Sequence, residues 1–160
     1  MTHRDVKLAN GCWLDEARTH LVLTDFGYAS KIDLHSTYCG SAHFAAPEVH
    51  RTDVEARAER PNKDGDEAAP PTYSSAAADV WSLGVVLYAM LATSLPFGGG
   101  DETTDERKAL RDKVCAGAWD GPLLRSRNVK ELCRQMMCVD VTKRATLAQV
   151  RNDEWVNSQP

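Results

Sequence analysis

The sequence predicts a mainly α-helical domain with a short β-hairpin near its N-terminus. Its 160 residues, 42% of them hydrophobic, can form one domain with a substantial core but not two complete ones. Residues 80–92 are apolar on nearly every side of a helix, which predicts a helix at the centre of the domain. Two later stretches begin with N-terminal capping signatures and predict shorter helices around it.

The N-terminal part of the chain contains two strand-like runs. Residues 12–14 and 20–24 are separated by a polar, turn-compatible stretch, which predicts a β-hairpin. Residues 27–45 show no sustained period of 2 or 3.6, and this indicates a long loop of the kind that is often functional. Residues 51–72 consist largely of charged residues, Ala, Gly and Pro, so we interpret them as a flexible surface insertion.

Four helices are expected after this insertion. Ser74 or Ser75 can cap the central helix, whose core covers residues 79–91. A charge-rich, weakly amphipathic helix is predicted over residues 104–116. The remaining two are predicted from a polar cap followed three residues later by Glu or Gln: Asn128 with Glu131, and Thr146 with Gln149.

Charge and cysteine content exclude several classes of protein. The net charge of -4, from 19 basic and 23 acidic residues, gives no electrostatic reason to expect nucleic acid or an anionic membrane as a partner. The 5 cysteines are odd in number and include no CxxC pair, so neither a disulfide framework nor a zinc site is indicated. We expect an intracellular, cytoplasmic protein, because the start of the chain is charged where a signal peptide is apolar.

Three short motifs near the N-terminus carry the functional information. They are HRDVKLAN at 3–10, DFG at 25–27 and APE at 46–48. In this order and spacing they resemble the catalytic loop, the metal-binding loop and the P+1 loop of eukaryotic serine/threonine protein kinases. The resemblance implies the C-terminal lobe of a kinase domain over residues 1–158. The glycine-rich loop and the strand lysine of the N-terminal lobe are absent from the sequence.

The resemblance implies that the γ-phosphate of ATP, held with Mg²⁺, is transferred to a Ser or Thr hydroxyl of a protein substrate. Asp5 would accept the proton of that hydroxyl, and Lys7 would contact the transferring phosphate. Asn10 and Asp25 would bind Mg²⁺ through oxygen atoms and, with Lys7, would hold the nucleotide. Without an N-terminal lobe, this chain by itself is expected to bind ATP weakly and to be inactive.

Residues with structural roles in kinases extend the resemblance along the chain. Asp79, which leads the run DVWSLGVVLYAML, would hold the backbone of the catalytic loop. Glu48 and Arg144 match a pair that forms a buried salt bridge under the P+1 loop, and the loss of one partner of such a pair typically costs about 3 to 5 kcal/mol.

The stretch STYCGSAHFAAPE resembles the activation segment of the calcium/calmodulin-dependent and AMP-activated kinase group. Thr37 matches the threonine that an upstream activating kinase phosphorylates, and Arg4 could pair with the added phosphate. Ser41 would contact the region of the substrate hydroxyl. Leu8 and Ala9 replace the Pro and Glu of many relatives, so a preference for basic substrates does not follow from the resemblance.

Two other hypotheses remain open at this point. The chain could be a non-catalytic binding module with a kinase fold, which the missing lobe favours and the intact set Asp5, Lys7, Asn10 and Asp25 disfavours. A helical interaction domain unrelated to kinases would require the three ordered motifs to be a coincidence.

Overall fold

The structure, a computed structural model, describes residues 1–58, 72–99, 103–119 and 121–158. This part of the chain is mainly helical, which confirms the predicted fold class. Its strands form two separate two-stranded sheets: β1 (Gly11–Trp13) with β2 (Leu21–Leu23), and β3 (Leu34–His35) with β4 (Tyr73–Ser74). Its α-helices are α1 (Pro47–Ala58), α2 (Ser75–Ala92), α3 (Thr104–Ala116), α4 (Arg127–Met136), α5 (Leu147–Arg151) and α6 (Glu154–Asn157).

The predicted hairpin is confirmed as the antiparallel pair β1 and β2. Gly11 lies opposite Leu23 in the register. A short 3-10 helix, Leu8–Asn10, leads into β1, and the amide of Thr24 donates to the carbonyl of Asn10 at 2.8 Å. The open end of the hairpin therefore joins the end of the HRDVKLAN motif to the start of the DFG motif.

The long loop predicted over residues 27–45 is present, with one short interruption. In the antiparallel pair of β3 and β4, Leu34 lies opposite Ser74 and His35 lies opposite Tyr73. The sequence did not predict this pair, because strands of two residues show no periodicity. The pair fixes the middle of the loop to the start of α2.

The structure differs from the sequence expectation at residues 51–58, which continue α1 instead of beginning a flexible insertion. Pro47 occupies the first helical position, where its fixed φ is favourable, and the Ala, Arg and Glu residues that follow are good helix formers. Thr52 is buried in this helix, and its hydroxyl donates to the carbonyl of Val49. Residues 59–71 of the proposed insertion lie outside the described residues.

Helix α2 forms the centre of the domain, as its all-round apolar character predicted. Ser74 is its N-cap and accepts a hydrogen bond from the amide of Ala77 at 3.3 Å. Its 18 residues and mean hydropathy of 1.5 would also suit a membrane span. However, Trp81, Val85 and Tyr88 are completely buried within the core, which is typical of the central helix of a globular domain.

The capping predictions for the later helices are confirmed in one case and corrected in the other. Thr146 and Gln149 form a reciprocal capping box at the start of α5. Helix α4 begins one residue before Asn128, and Ser126 is at its N-cap position, so Asn128 does not cap it. The buried residues of α4 are the same whether the helix starts at Arg127 or is capped by Asn128. The packing of α4 therefore does not depend on the position of its cap.

Candidate active site

A buried carboxylate lies at the centre of the candidate active site. Asp5 is 6% exposed, and its Oδ1 accepts a hydrogen bond from the backbone amide of Ser41 at 2.9 Å. Its Oδ2 accepts from the Nζ of Lys7 at 2.8 Å, and the same Nζ donates to the Ser41 hydroxyl at 2.9 Å. Folding thus joins Asp5 and Lys7 to Ser41, which lies 36 residues beyond Asp5 in the chain.

The surroundings of Asp5 keep it ionised. Burial by itself would raise the pKa of its carboxyl, but the hydrogen bonds from Lys7 and Ser41 and the positive charge of Lys7 together lower that pKa below its ordinary value. At neutral pH, Asp5 is therefore a carboxylate that can only accept hydrogen bonds.

Asn10 and Asp25 are brought together at the open end of the hairpin. Asn10 is buried, and its Nδ2 donates to the carbonyl of Asp5 at 2.8 Å and to the Asp5 carboxylate at 3.3 Å. Among the described residues its Oδ1 accepts no hydrogen bond. Asp25 follows Thr24, the backbone partner of Asn10, and its own carboxylate is exposed, with one long contact of 3.4 Å from the amide of Gly27.

These two side chains fit a Mg²⁺ ion by the chemistry of their donor atoms. An uncommitted amide oxygen and an exposed carboxylate are hard ligands, and protein sites for Mg²⁺ commonly supply one or two carboxylates while phosphates and water complete the shell. In the described ranges there is no group of three or more His, Cys, Asp or Glu side chains that could hold a metal ion. Asn10 and Asp25 are thus candidate cation ligands by the chemistry of their oxygen atoms alone.

The HRDVKLAN motif is fixed on α2 by Asp79, the first acidic residue of that helix. The Asp79 carboxylate accepts hydrogen bonds from the amides of His3 and Arg4 at 2.7 and 2.8 Å. Burial raises the pKa of Asp79, and these two amides oppose that rise. Arg4 and Asp25 have φ values of 68° and 61°, in the left-handed region that non-glycine residues seldom adopt. The hydrogen bond from the amide of Arg4 to Asp79 holds the strained backbone of Arg4 in place.

Thr37 lies in the stretch STYCGSAHFAAPE, residues 36–48, which contacts Arg4 and Asp5 of the HRDVKLAN motif. Its side chain is exposed, and its carbonyl accepts hydrogen bonds from the Nη2 of Arg4 at 3.3 Å and from the hydroxyl of Tyr73 at 2.9 Å. The buried Nε of Arg4 has no hydrogen-bond partner among the described residues. Arg4 thus keeps one donor unused inside the fold.

Two residues of this region were missed by the sequence reasoning. Gly40 has a φ of 86°, and a Cβ added there would lie 2.6 Å from the carbonyl oxygen of Arg4, so only glycine fits. The sequence did offer a signal for this residue, since Gly40 is the glycine of the CGS triplet. Tyr73 is a buried tyrosine beside Arg4 and Thr37, and nothing in the local sequence indicates that contact.

Glu48 and Arg144 form a bidentate ion pair, as the resemblance implied. The Nη1 and Nη2 of Arg144 donate to the two carboxylate oxygens of Glu48 at 2.6 and 2.9 Å. Arg144 also donates to the carbonyls of Ala77 and Cys138, and its guanidinium lies 5.1 Å from the ring centre of Trp81. The arginine therefore connects the starts of α1 and α2 to the loop before α5.

Comparison with known proteins gives one consistent result. A family model described as "Protein kinase domain" matches residues 1–156. The chain is 35% identical over 163 residues to serine/threonine-protein kinase SIK2 of Gallus gallus, and 36% and 35% identical to serine/threonine-protein kinase SIK1 of Mus musculus and Rattus norvegicus. These alignments cover 100% of this chain but only 17% to 18% of the relatives, so the chain spans less than a fifth of their length.

Proposed function

Because the chain belongs to the protein kinase family, we propose that the protein carrying it transfers the γ-phosphate of ATP to Ser or Thr hydroxyls of a protein substrate. The observation that carries this proposal is the hydrogen-bonded set of Asp5, Lys7 and Ser41. The names of the similar proteins, all serine/threonine-protein kinases, support the choice of a hydroxyl on Ser or Thr.

In this proposal Asp5 is the general base. Its lowered pKa means that it is ionised at neutral pH, so it can accept the proton of a substrate hydroxyl as that oxygen attacks phosphorus. General-base action of this kind contributes about 10²- to 10⁴-fold to the rate. The fixed position of the carboxylate between Lys7 and the Ser41 amide orients it before the substrate arrives.

Lys7 and Ser41 supply charge and alignment. The ammonium of Lys7 is a compact positive charge that can stabilise the negative charge on the phosphoryl group in transfer. Its hydrogen bonds to both Asp5 and Ser41 hold it beside the base.

Asn10 and Asp25 are the residues that would hold Mg²⁺. When bound, the ion neutralises phosphate charge, which is the main requirement of phosphoryl transfer. The two donors on Nδ2 of Asn10 are directed at Asp5, so its amide oxygen is turned away from that residue and is available to a ligand. Lys7, Asn10 and Asp25 together would contact ATP.

We also infer that Thr37 is a phosphorylation site for an upstream kinase. The support is its exposed side chain and the guanidinium of Arg4, whose Nη2 donates to its carbonyl at 3.3 Å. Thr37→Ala should lower phosphotransfer by the complete protein, and Ser36→Ala, which removes the adjacent hydroxyl, should not. Equal activity of both variants and the wild type would exclude this role.

The central experiment compares two isosteric changes in the complete gene product. Asp5→Asn keeps the shape of the side chain but removes the base, and should lower the rate of phosphate transfer from ATP to a Ser/Thr peptide library by about 100-fold or more. Asp112→Asn, at an exposed position on α3, is the matched control and should leave the rate unchanged. If the wild type transfers no phosphate to any peptide, or Asp5→Asn keeps full activity, the proposal is wrong and the binding-module hypothesis gains support.

A further inference from the structure

We propose that Tyr73 is a positioning residue which, together with Arg4, latches the activation segment at the main chain of Thr37 without requiring phosphorylation. The proposal rests on the proposed kinase function only in calling the latched stretch an activation segment. Its main test does not depend on phosphate transfer.

The latch consists of three groups that bond to one another. The hydroxyl of Tyr73 donates to the carbonyl of Thr37 at 2.9 Å and accepts from the Nη2 of Arg4 at 3.3 Å. The same Nη2 donates to the Thr37 carbonyl at 3.3 Å. Tyr73 is 5% exposed, so the two bonds of its hydroxyl are partly buried, whereas the bond from Arg4 to the Thr37 carbonyl is exposed. If the hydroxyl is removed, the carbonyl of Thr37 and the guanidinium of Arg4 each lose a partner.

Arg4 and Tyr73, the two residues that hold the Thr37 carbonyl, are themselves anchored at α2 and at the strand that precedes it. Arg4 is held through its amide by Asp79. Tyr73 belongs to β4, pairs with His35 of β3, and precedes Ser75, whose amide donates to the carbonyl of Asp33 at 2.8 Å. The latch therefore connects the activation segment to rigid structure on both sides, directly above the catalytic loop.

The acceptor on Thr37 is its main-chain oxygen, and this makes the latch independent of phosphate. The hydroxyl of Thr37 makes no hydrogen bond among the described residues, so its loss or modification leaves the three bonded groups in place. Burial raises the pKa of the Tyr73 phenol, so the phenol remains a protonated donor at neutral pH. A phosphate on Thr37 would then reinforce, through the positive charge of Arg4, a segment that is already held.

The test is hydrogen–deuterium exchange in the complete protein. Tyr73→Phe keeps the buried ring and removes only the hydroxyl, and we expect amide exchange over residues 35–41 to become about 5-fold faster or more, with no change in peptides from α4. Arg4→Lys, which keeps the charge but loses the planar fork, should give the same local effect. Thr37→Ala should leave the exchange unchanged, because the carbonyl remains.

Tyr28→Phe is the matched control, because Tyr28 is half-exposed and its hydroxyl makes no hydrogen bond in the described part of the chain. It should not alter exchange over residues 35–41. Unchanged exchange in Tyr73→Phe would overturn the latch, as would a uniform increase throughout the protein, which indicates a purely structural role. An increase in Thr37→Ala equal to that in Tyr73→Phe would overturn its independence from phosphate.

A kinetic comparison separates this proposal from the proposed function. In a protein that transfers phosphate, Tyr73→Phe should raise the KM for the peptide substrate and leave the KM for ATP unchanged, because the latch does not contact Asn10 or Asp25. Equal changes in both KM values would contradict positioning of the activation segment. A wild-type protein without phosphotransfer would disprove the kinase function, while the exchange experiment would still decide the latch.

Discussion

At the scale of single residues, the Asp5 carboxylate shows how a buried charge can be tolerated. An ion removed from water is destabilising unless it is paired and hydrogen-bonded. Asp5 receives donors from Lys7, from the backbone of Ser41 and from Asn10, so both of its oxygens are bonded. These interactions outweigh burial and lower its pKa, which makes stability dependent on its ionisation.

The pH dependence of Asp5 follows from the direction of that shift. Because its pKa in the folded protein is below the ordinary value of 3.8, ionised Asp5 stabilises the fold. This contribution is fully present above about pH 4 and is lost as the pH falls through the lowered pKa. NMR titration of the Asp5 carboxyl should give a pKa below 3.8, and urea unfolding should show a smaller loss of stability from pH 7 to pH 3 in Asp5→Asn than in the wild type. A titration midpoint above 3.8 would contradict the assigned hydrogen bonds.

At the scale of elements, the contact between α2 and α4 depends on one glycine. A Cβ at Gly84 would lie 2.9 Å from the Cβ of Met136 and 2.9 Å from the Cγ of Met137. Atoms at the base of a side chain cannot move aside easily, so the absence of a side chain at position 84 sets how closely the two helices approach.

Gly84→Ala tests whether this close approach outweighs helix propensity. Alanine would by itself stabilise the helix by about 1 kcal/mol, whereas overpacking of a core costs about 1 to 3 kcal/mol. We therefore expect a net destabilisation of about 1 kcal/mol and a lower Tm in thermal unfolding. Gly99→Ala, where an added Cβ meets no atom of the described residues within 4 Å, is the control and should leave the Tm nearly unchanged. A Tm above that of the wild type in Gly84→Ala would contradict the packing argument.

At the scale of the whole molecule, Arg144 connects segments that are far apart in sequence. Its side chain is 1% exposed, and its ion pair with Glu48 joins residues 96 positions apart. It also donates to the main-chain carbonyls of Ala77 in α2 and of Cys138 just after α4, so its charge is compensated inside the protein. A buried pair of this kind makes the fold sensitive to the loss of either partner.

Glu48→Ala should destabilise the fold by about 3 to 5 kcal/mol, because it leaves the Arg144 guanidinium buried without its counter-ion. The control is Glu131→Ala, which breaks the exposed pair with Arg134 and should cost less than about 1 kcal/mol. Urea denaturation of both variants gives the two free energies of unfolding. Similar values for the two variants would show that the buried pair has no special role.

The whole molecule also has an open groove on its surface. About 690 Å³ in volume, it lies between the hairpin, α2 and α5, and exposed apolar side chains such as Leu21, Phe26 and Leu147 line it. Exposed apolar surface of this kind promotes association between molecules.

The sequence by itself determined the fold class, the hairpin, the central helix and the family, because these depend on local signals. Periodicity and caps such as Ser74 and the Thr146–Gln149 box act within a few residues. The resemblance carried by the three motifs is confirmed by the kinase family match over residues 1–156. The extension of α1 to Ala58 and the start of α4 were not predicted correctly, because good helix formers and several neighbouring cap residues allow more than one boundary.

Only the tertiary structure decided which groups meet around the motifs. Tyr73 reaches Thr37 from 36 positions away, and its partner there is a main-chain carbonyl, which every residue possesses and no sequence pattern reveals. The need for glycine at position 40 likewise comes from the approach of a second segment, and the lowered pKa of Asp5 comes from Lys7 in its own motif together with Ser41, 36 residues away. Contacts of this kind depend on how distant segments pack, and packing is a property of the folded chain as a whole.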